Sequence, residues 1–294
     1  MTPEPFSDRL ITAIRAAGAP ACVGLDPVYD KLPDAVRGRT EDPVEAIEIF
    51  CSEVVQAVAG LCAAIKLQSA CFERYGAAGW RVLRDITLAA HSRNIPVILD
   101  AKRGDIGISA QHYAHAAFGA DTSSPLGGAD ALTISGYLGP DTLEPFLHPG
   151  RGLFVLVRTS NPGSDAVQGA RLQDGRTVAE MMADHVAALG DQHMGMSGYS
   201  DIGAVVAATK PQDAAALRAR MPCQIFLVPG YGAQGGGARD IRPLLDSRPE
   251  CGGGVLVTAS RSVIYAFEAA DHSWAKAVRR AALKLCDEIR AVIA

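Results

Sequence analysis

Short runs of apolar, often β-branched residues recur along the chain, separated by longer stretches in which apolar positions fall three or four apart. The runs lie at 21–26, 63–68, 96–102, 131–135, 152–160, 202–208, 224–230 and 254–260. Their near-continuous apolar character predicts strands buried on both faces, as in a parallel sheet. The periodic stretches predict helices over 43–59, 73–92, 109–118, 140–147, 176–190, 211–220 and 239–247, a leading helix near 5–18 and a last one over 274–293. Eight units in 294 residues leave about 37 residues each, enough for a strand, a helix and two loops. Strict alternation repeated eight times predicts an α/β chain folded as one (β/α)8 TIM barrel domain over 1–294, preceded by an N-terminal helix. A doubly wound Rossmann-like sheet would place G-x-G-x-x-G directly after the first strand, and the chain reads GLDPVY there. The polar, glycine-rich stretches 161–175 and 191–200 read as excursions from the barrel.

Composition narrows the function. Lys and Arg number 28 against 32 Asp and Glu, a net charge of −4, so no basic footprint for nucleic acid is expected. An anionic ligand would have to be captured by local cations. No apolar run reaches the ~18 residues of a membrane span. The opening MTPEPFSDRL lacks a basic region followed by an apolar run, so no secretory signal is expected. Seven cysteines without a CxxC pair predict reduced, mostly buried thiols in a cytosolic protein. No HExxH, CxxC or EF-hand pattern occurs, and His112 and His115 lack a further ligand, so no metal is expected.

Barrel chemistry gathers at the C-terminal ends of the strands. The first strand ends in Asp26, the second in Lys66 and Gln68, the third in Asp100 and Lys102 with Asp105 close behind. Residues two apart on a strand share a face, and adjacent strands lie about 4.8 Å apart, so Lys66, Asp100 and Lys102 are expected to form one alternating-sign cluster. Burying several charges is costly, which makes such a cluster better evidence for a site than for stability. The loops after the seventh and eighth strands are the usual barrel phosphate site. Here they read PGYGAQGGG and TASRS, offering uncovered backbone N–H groups, the Gln234 amide and the Arg261 guanidinium.

The segment ILDAKRGDIGISA (98–110) resembles the signature of the orotidine 5′-phosphate decarboxylase family. The resemblance continues, in order, through GLDP (24–27), IKLQSACFE (65–73), RTSNPGS (158–164), VPGYGAQGG (228–236) and TASRSVIYA (258–266), and is nearest to the longer bacterial, mycobacterial-like branch. It implies decarboxylation of orotidine 5′-monophosphate to uridine 5′-monophosphate without a cofactor. It implies Lys102 as proton donor to C6, Asp100 beside the substrate carboxylate, and Lys66 within the charged array. Asp105, with Ile106 and Ser109 near it, would be contributed by the partner subunit of a homodimer. Asp26 would bind a ribose hydroxyl, Ser160 the pyrimidine edge, and Pro229, Gln234 and Arg261 the phosphate side of the pocket.

Such a residue set suits that reaction. Loss of CO2 leaves an in-plane vinyl carbanion with little delocalisation, so placed charge and binding energy from the phosphate must lower the barrier. An ammonium at the carbanion stabilises the developing charge and then supplies the proton. At ~3 Å and an effective dielectric of about 20 one such pairing is worth on the order of 5 kcal/mol before desolvation. A metal-dependent phosphosugar aldolase, isomerase or β-keto acid decarboxylase on a related barrel is the alternative; Lys66, where such enzymes carry an acidic ligand, argues against it. A non-catalytic phosphate-ligand binder is a third reading.

Overall fold

A computed structural model describes residues 3–119, 128–232 and 237–294. Eight parallel strands close into a barrel in sequence order: β1 (Ala21–Leu25), β2 (Ala64–Gln68), β3 (Val97–Arg103), β4 (Ala131–Ile134), β5 (Gly152–Arg158), β6 (Ser200–Val206), β7 (Gln224–Val228) and β8 (Val255–Ala259). Every expected strand is present, and β1 pairs with β8 to complete the ring.

Strand pleating sorts the apolar residues into two layers. On β3, Val97 and Leu99 pack outward with helix residues, whereas Ile98 joins the barrel interior with Cys22, Ala64 and Phe154. The leading helix, Phe6–Ala17, continues that interior: Phe6, Leu10, Ile11 and Ile14 are buried with it. Phe6 meets Phe154 edge-on at 6.0 Å. Gly152 makes this approach possible, since a Cβ there would lie 2.1 Å from the Phe6 ring. The helix therefore plugs the N-terminal face and leaves the opposite face for a site. The 191–200 excursion serves the same end, because the Met196 and Ser197 N–H groups donate to the Asp8 carboxylate on that helix.

Three helix expectations need correction. The helix expected over 73–92 starts only at Gly76 and runs to His91, preceded by a separate short helix, Ser69–Glu73, because the chain turns between them through Gly76 at a left-handed φ of +60°. Residues 140–147 form a 3-10 helix, Pro140–Phe146, because Pro145 has no N–H to give an α-helical ladder. Only Ala238–Ile241 is α-helical in the region of 239–247, because Pro243 has no N–H to extend the ladder and the chain tightens into the 3-10 turn Arg242–Leu244. The last helix, Trp274–Ile293, follows its pattern, burying Trp274, Val278, Leu285, Ile289 and Val292 along one face. No helix among the described residues is long and apolar enough to cross a membrane.

Candidate active site

The register sets the charged cluster. Gly24 pairs with Lys66, Lys66 with Ile98, and Gln68 with Asp100, so β1, β2 and β3 bring their polar ends to one level at the C-terminal mouth. Lys66 Nζ donates to Asp100 Oδ2 at 2.7 Å and lies 3.8 Å from Asp26 Oδ1. Lys102 Nζ donates to Asp100 Oδ1 at 2.6 Å. Gln68 Nε2 adds a bond to Oδ2 at 3.2 Å and the Thr133 hydroxyl one to Oδ1 at 2.9 Å. Asp100, 6% exposed, thus accepts from four donors.

Asp100 and Lys102 share a side for a reason that pleating alone does not supply. Lys102 has a φ of +47°, in the left-handed region, and the β3–β4 ladder slips register between Leu99 and Arg103. A non-glycine residue there costs on the order of 1–3 kcal/mol and persists only where the surroundings enforce it. The bend leaves the Lys102 side chain 48% exposed above the nearly buried Lys66 and Asp100.

Electrostatics fix the charge states. Burial by itself favours the neutral acid at Asp100, but the Lys66 and Lys102 ammonium groups outweigh it and hold the carboxyl well below the usual carboxylate range. Burial by itself favours the neutral amine at Lys66; the Asp100 and Asp26 carboxylates overcome it and hold the ammonium above the ordinary lysine value. Beneath them, burial pushes the Cys22 thiol up to about 12, so it stays neutral.

A cavity of about 500 Å³ opens above the cluster. Asp26, Lys66, Asp100 and Lys102 line one side; Ser160, Pro229, Gly230 and Arg261 line the other. Leu156, Val205 and Leu227 give it an apolar floor. The size and the mixture of apolar wall and few polar groups suit a small-molecule ligand. Asp26 Oδ1 is buried without a hydrogen-bond partner, an acceptor left for a ligand donor. Gly24 makes room for the end of β8, since a Cβ there would lie 2.0 Å from Ser260 Oγ.

Of the expected site residues, the structure brings together Lys66, Asp100, Lys102, Asp26, Ser160, Pro229 and Arg261. Asp105, Ile106 and Ser109 do not join them from the same chain. β3 ends at Arg103, whose carbonyl accepts the Ser135 N–H, and the next helix begins at Gly107, so 105–109 lie on the outer rim. There Asp105 accepts the Ile106 N–H at 2.8 Å, and Ile106 is 63% exposed. Gln234 lies outside the described residues.

Several contributors are not among the expected site residues. Tyr265 accepts the Val28 N–H and donates to the Asp26 carbonyl, pinning the loop that carries Asp26. Arg158 turns away from the mouth and is buried against Asp165, Ser164 and Asp213, tying down the 161–175 excursion. That excursion delivers Asn161 and Gln168 to the cavity wall, where Gln168 accepts the Thr159 N–H at 2.8 Å.

A closed parallel barrel with a ligand-sized cavity at its C-terminal mouth is the architecture of a TIM-barrel enzyme. The profile of the Orotidine 5'-phosphate decarboxylase / HUMPS family matches residues 20–277. The chain is 41% identical over 302 residues to orotidine 5'-phosphate decarboxylase of Rhodopirellula baltica, covering 97% of this chain and 99% of that one. It is also 41% identical to the enzyme of that name from Roseiflexus castenholzii, covering 98% of each. The solved structure of Leishmania donovani OMP decarboxylase superposes with a TM-score of 0.78 at 33% identity, covering 100% of this chain and 99% of that one. The chain belongs to the orotidine 5′-phosphate decarboxylase family.

Proposed function

We propose that the protein decarboxylates orotidine 5′-monophosphate to uridine 5′-monophosphate and CO2, the last step of de novo UMP synthesis, in the cytoplasm and without a cofactor. The observation that carries this reading is the Asp100 carboxylate held between two ammonium groups, with the Lys102 ammonium as the exposed member at the cavity. The C6–carboxylate bond breaks, CO2 leaves, and the electron pair left on C6 takes a proton from Lys102 Nζ. Lys66 anchors the Asp100 carboxylate and Asp100 orients the Lys102 ammonium, so the stabilising field exists before charge develops. Asp26 takes a ribose hydroxyl, Ser160 the pyrimidine edge, and Pro229, Gln234 and Arg261 the phosphate side. Phosphate binding far from the reacting bond supplies energy to the chemical step.

The active unit in this reading is a homodimer in which Asp105 of each chain completes the partner's array, with Ile106 and Ser109 beside it. Support comes from the exposed apolar side chains on the same rim: Ile106 63%, Ile108 69%, Tyr137 79% and Leu138 54%. Such a patch marks an interaction surface.

Metal-stripped protein is expected to remove the orotate absorbance of orotidylate, and Lys102→Ala to lose ~10⁴-fold or more of that rate, the upper range for a general acid that also stabilises charge. Inactive Asp105→Asn and Lys102→Ala chains, mixed and allowed to exchange, are expected to recover about a quarter of the wild-type rate through the one intact site of each mixed dimer. Chelator-sensitive turnover of a phosphosugar instead of orotidylate would transfer the assignment to the metal-dependent alternative.

A further inference from the structure

Thr133 carries no charge and stands in an ordinary strand sequence, yet its hydroxyl meets two of the residues assigned to the chemistry, Asp100 and Lys102. It is 1% exposed, near the end of β4. Its Oγ1 donates to Asp100 Oδ1 at 2.9 Å and accepts the Lys102 backbone N–H at 3.0 Å. Neither direction can reverse. An ionised carboxylate only accepts and a peptide N–H only donates, so the one hydroxyl proton is committed to Asp100 and a lone pair to Lys102. The Lys102 peptide sits where the β3–β4 ladder has slipped, and its left-handed φ of +47° needs an outside restraint.

We propose that Thr133 is a positioning residue for the decarboxylation, its hydroxyl locking the bent Lys102 backbone and the Asp100 carboxylate into one unit that aims the Lys102 ammonium at the reacting carbon. The inference rests on the decarboxylase reading given above. Without the hydroxyl, the Lys102 peptide loses the partner that holds it bent, and Asp100 keeps its ammonium partners but loses one anchor to the barrel. The ammonium then drifts from its line to C6 while the phosphate and ribose contacts stay in place.

The test compares Thr133→Val, which keeps the shape and removes the hydroxyl, with Thr133→Ser, which keeps the hydroxyl. Wild-type turnover of orotidylate is measured first, and its absence overturns the decarboxylase reading together with this inference. Given an active wild type, Thr133→Val is expected to lower kcat ~10- to 100-fold, the range a displacement of about 1 Å produces. Its KM and its affinity for uridine 5′-monophosphate are expected to stay within about 3-fold, since ground-state contacts remain. Thr133→Ser is expected to recover most of the lost kcat. A valine variant as fast as wild type, a serine variant as slow as valine, or parallel losses of kcat, product affinity and Tm would each overturn the inference alone. If the valine chain does not fold, Thr133→Cys against Thr133→Ser carries the same contrast, with cysteine, a weak donor and acceptor, expected to be the slow variant.

Discussion

Asp100 lies near the C-terminal end of β3 and Asp130 directly precedes the first residue of β4, so two buried carboxylates sit at opposite ends of neighbouring strands. Both titrate below the usual carboxylate range, although burial alone would push each the other way. Their partners differ in kind. Asp130 accepts from Arg9 at 2.7 Å, His91 Nε2 at 2.9 Å and the Val97 N–H at 2.9 Å. The Arg9 guanidinium also binds the Gly150 carbonyl, so this network joins the leading helix to the barrel floor. At Asp100 the charged partners are lysines, and the cavity rather than a carbonyl lies beyond them. A planar arginine fork suits a fixed joint, while a compact ammonium on a flexible stem suits proton delivery. The same buried-carboxylate motif is therefore closed on itself at one end and left open at the other.

Breaking the open end should produce the larger effect. Asp100→Asn is expected to lower kcat/KM by ~10³-fold or more, because the two ammonium groups lose the charge that orients them. If orientation is the main role of Asp100, Asp100→Gly is expected to be slower still, since asparagine retains hydrogen bonding and glycine does not. Near-equal losses in transition-state affinity would instead favour repulsion of the substrate carboxylate.

Breaking the closed end should leave the chemistry alone. Asp130→Asn is expected to cost ~1–3 kcal/mol of stability in denaturant titrations, the range for weakening hydrogen bonds to a buried charged group whose cationic partners keep access to solvent. The folded fraction is expected to keep wild-type kcat/KM. A catalytic loss in fully folded Asp130→Asn would erase the distinction between the two ends.

The two ends were unequally legible in the sequence. All eight strands could be read because apolar β-branched runs separated by helical periodicity leave few other folds. The Lys66–Asp100–Lys102 cluster could be read because strand ends and two-residue spacing place charges, although its geometry turned out to depend on the bend at Lys102. Thr133 could not, since a threonine in a strand is an ordinary β-former and only the β3–β4 register shows what its hydroxyl meets. Tyr265 touches the Asp26 loop from the far end of the chain, beyond the reach of any local pattern. Asp130 reads as a loop residue before a strand, and its arginine partner lies on a helix whose docking no periodicity reveals. Asp105 follows a readable motif, yet its own chain directs it to the outer rim.

The smallest effect separates the ends by pH. Asp100 and Asp130 have lowered folded-state values, so their unfolded forms take up protons first as pH falls. Their stabilisation is complete above the unfolded carboxyl value of about 4 and is lost as pH falls through the folded values. Lys66 has a raised value, so its contribution is complete below the unfolded lysine value of about 10.4 and is lost only as pH rises through the folded one. Between about pH 5 and 9 these three groups therefore add no slope to stability, and Asp100 and Lys66 do not account for any limb of the activity profile in that range. Below about pH 4, Asp130→Asn is expected to flatten the acid dependence of unfolding by up to ~1.4 kcal/mol per pH unit, the share of one proton. Denaturant midpoints from about pH 2.5 to 7 span this window and measure it directly. An Asp130→Asn curve parallel to wild type would mean that Asp130 takes up no extra proton on unfolding, and that the floor of the barrel is not held by the carboxylate charge.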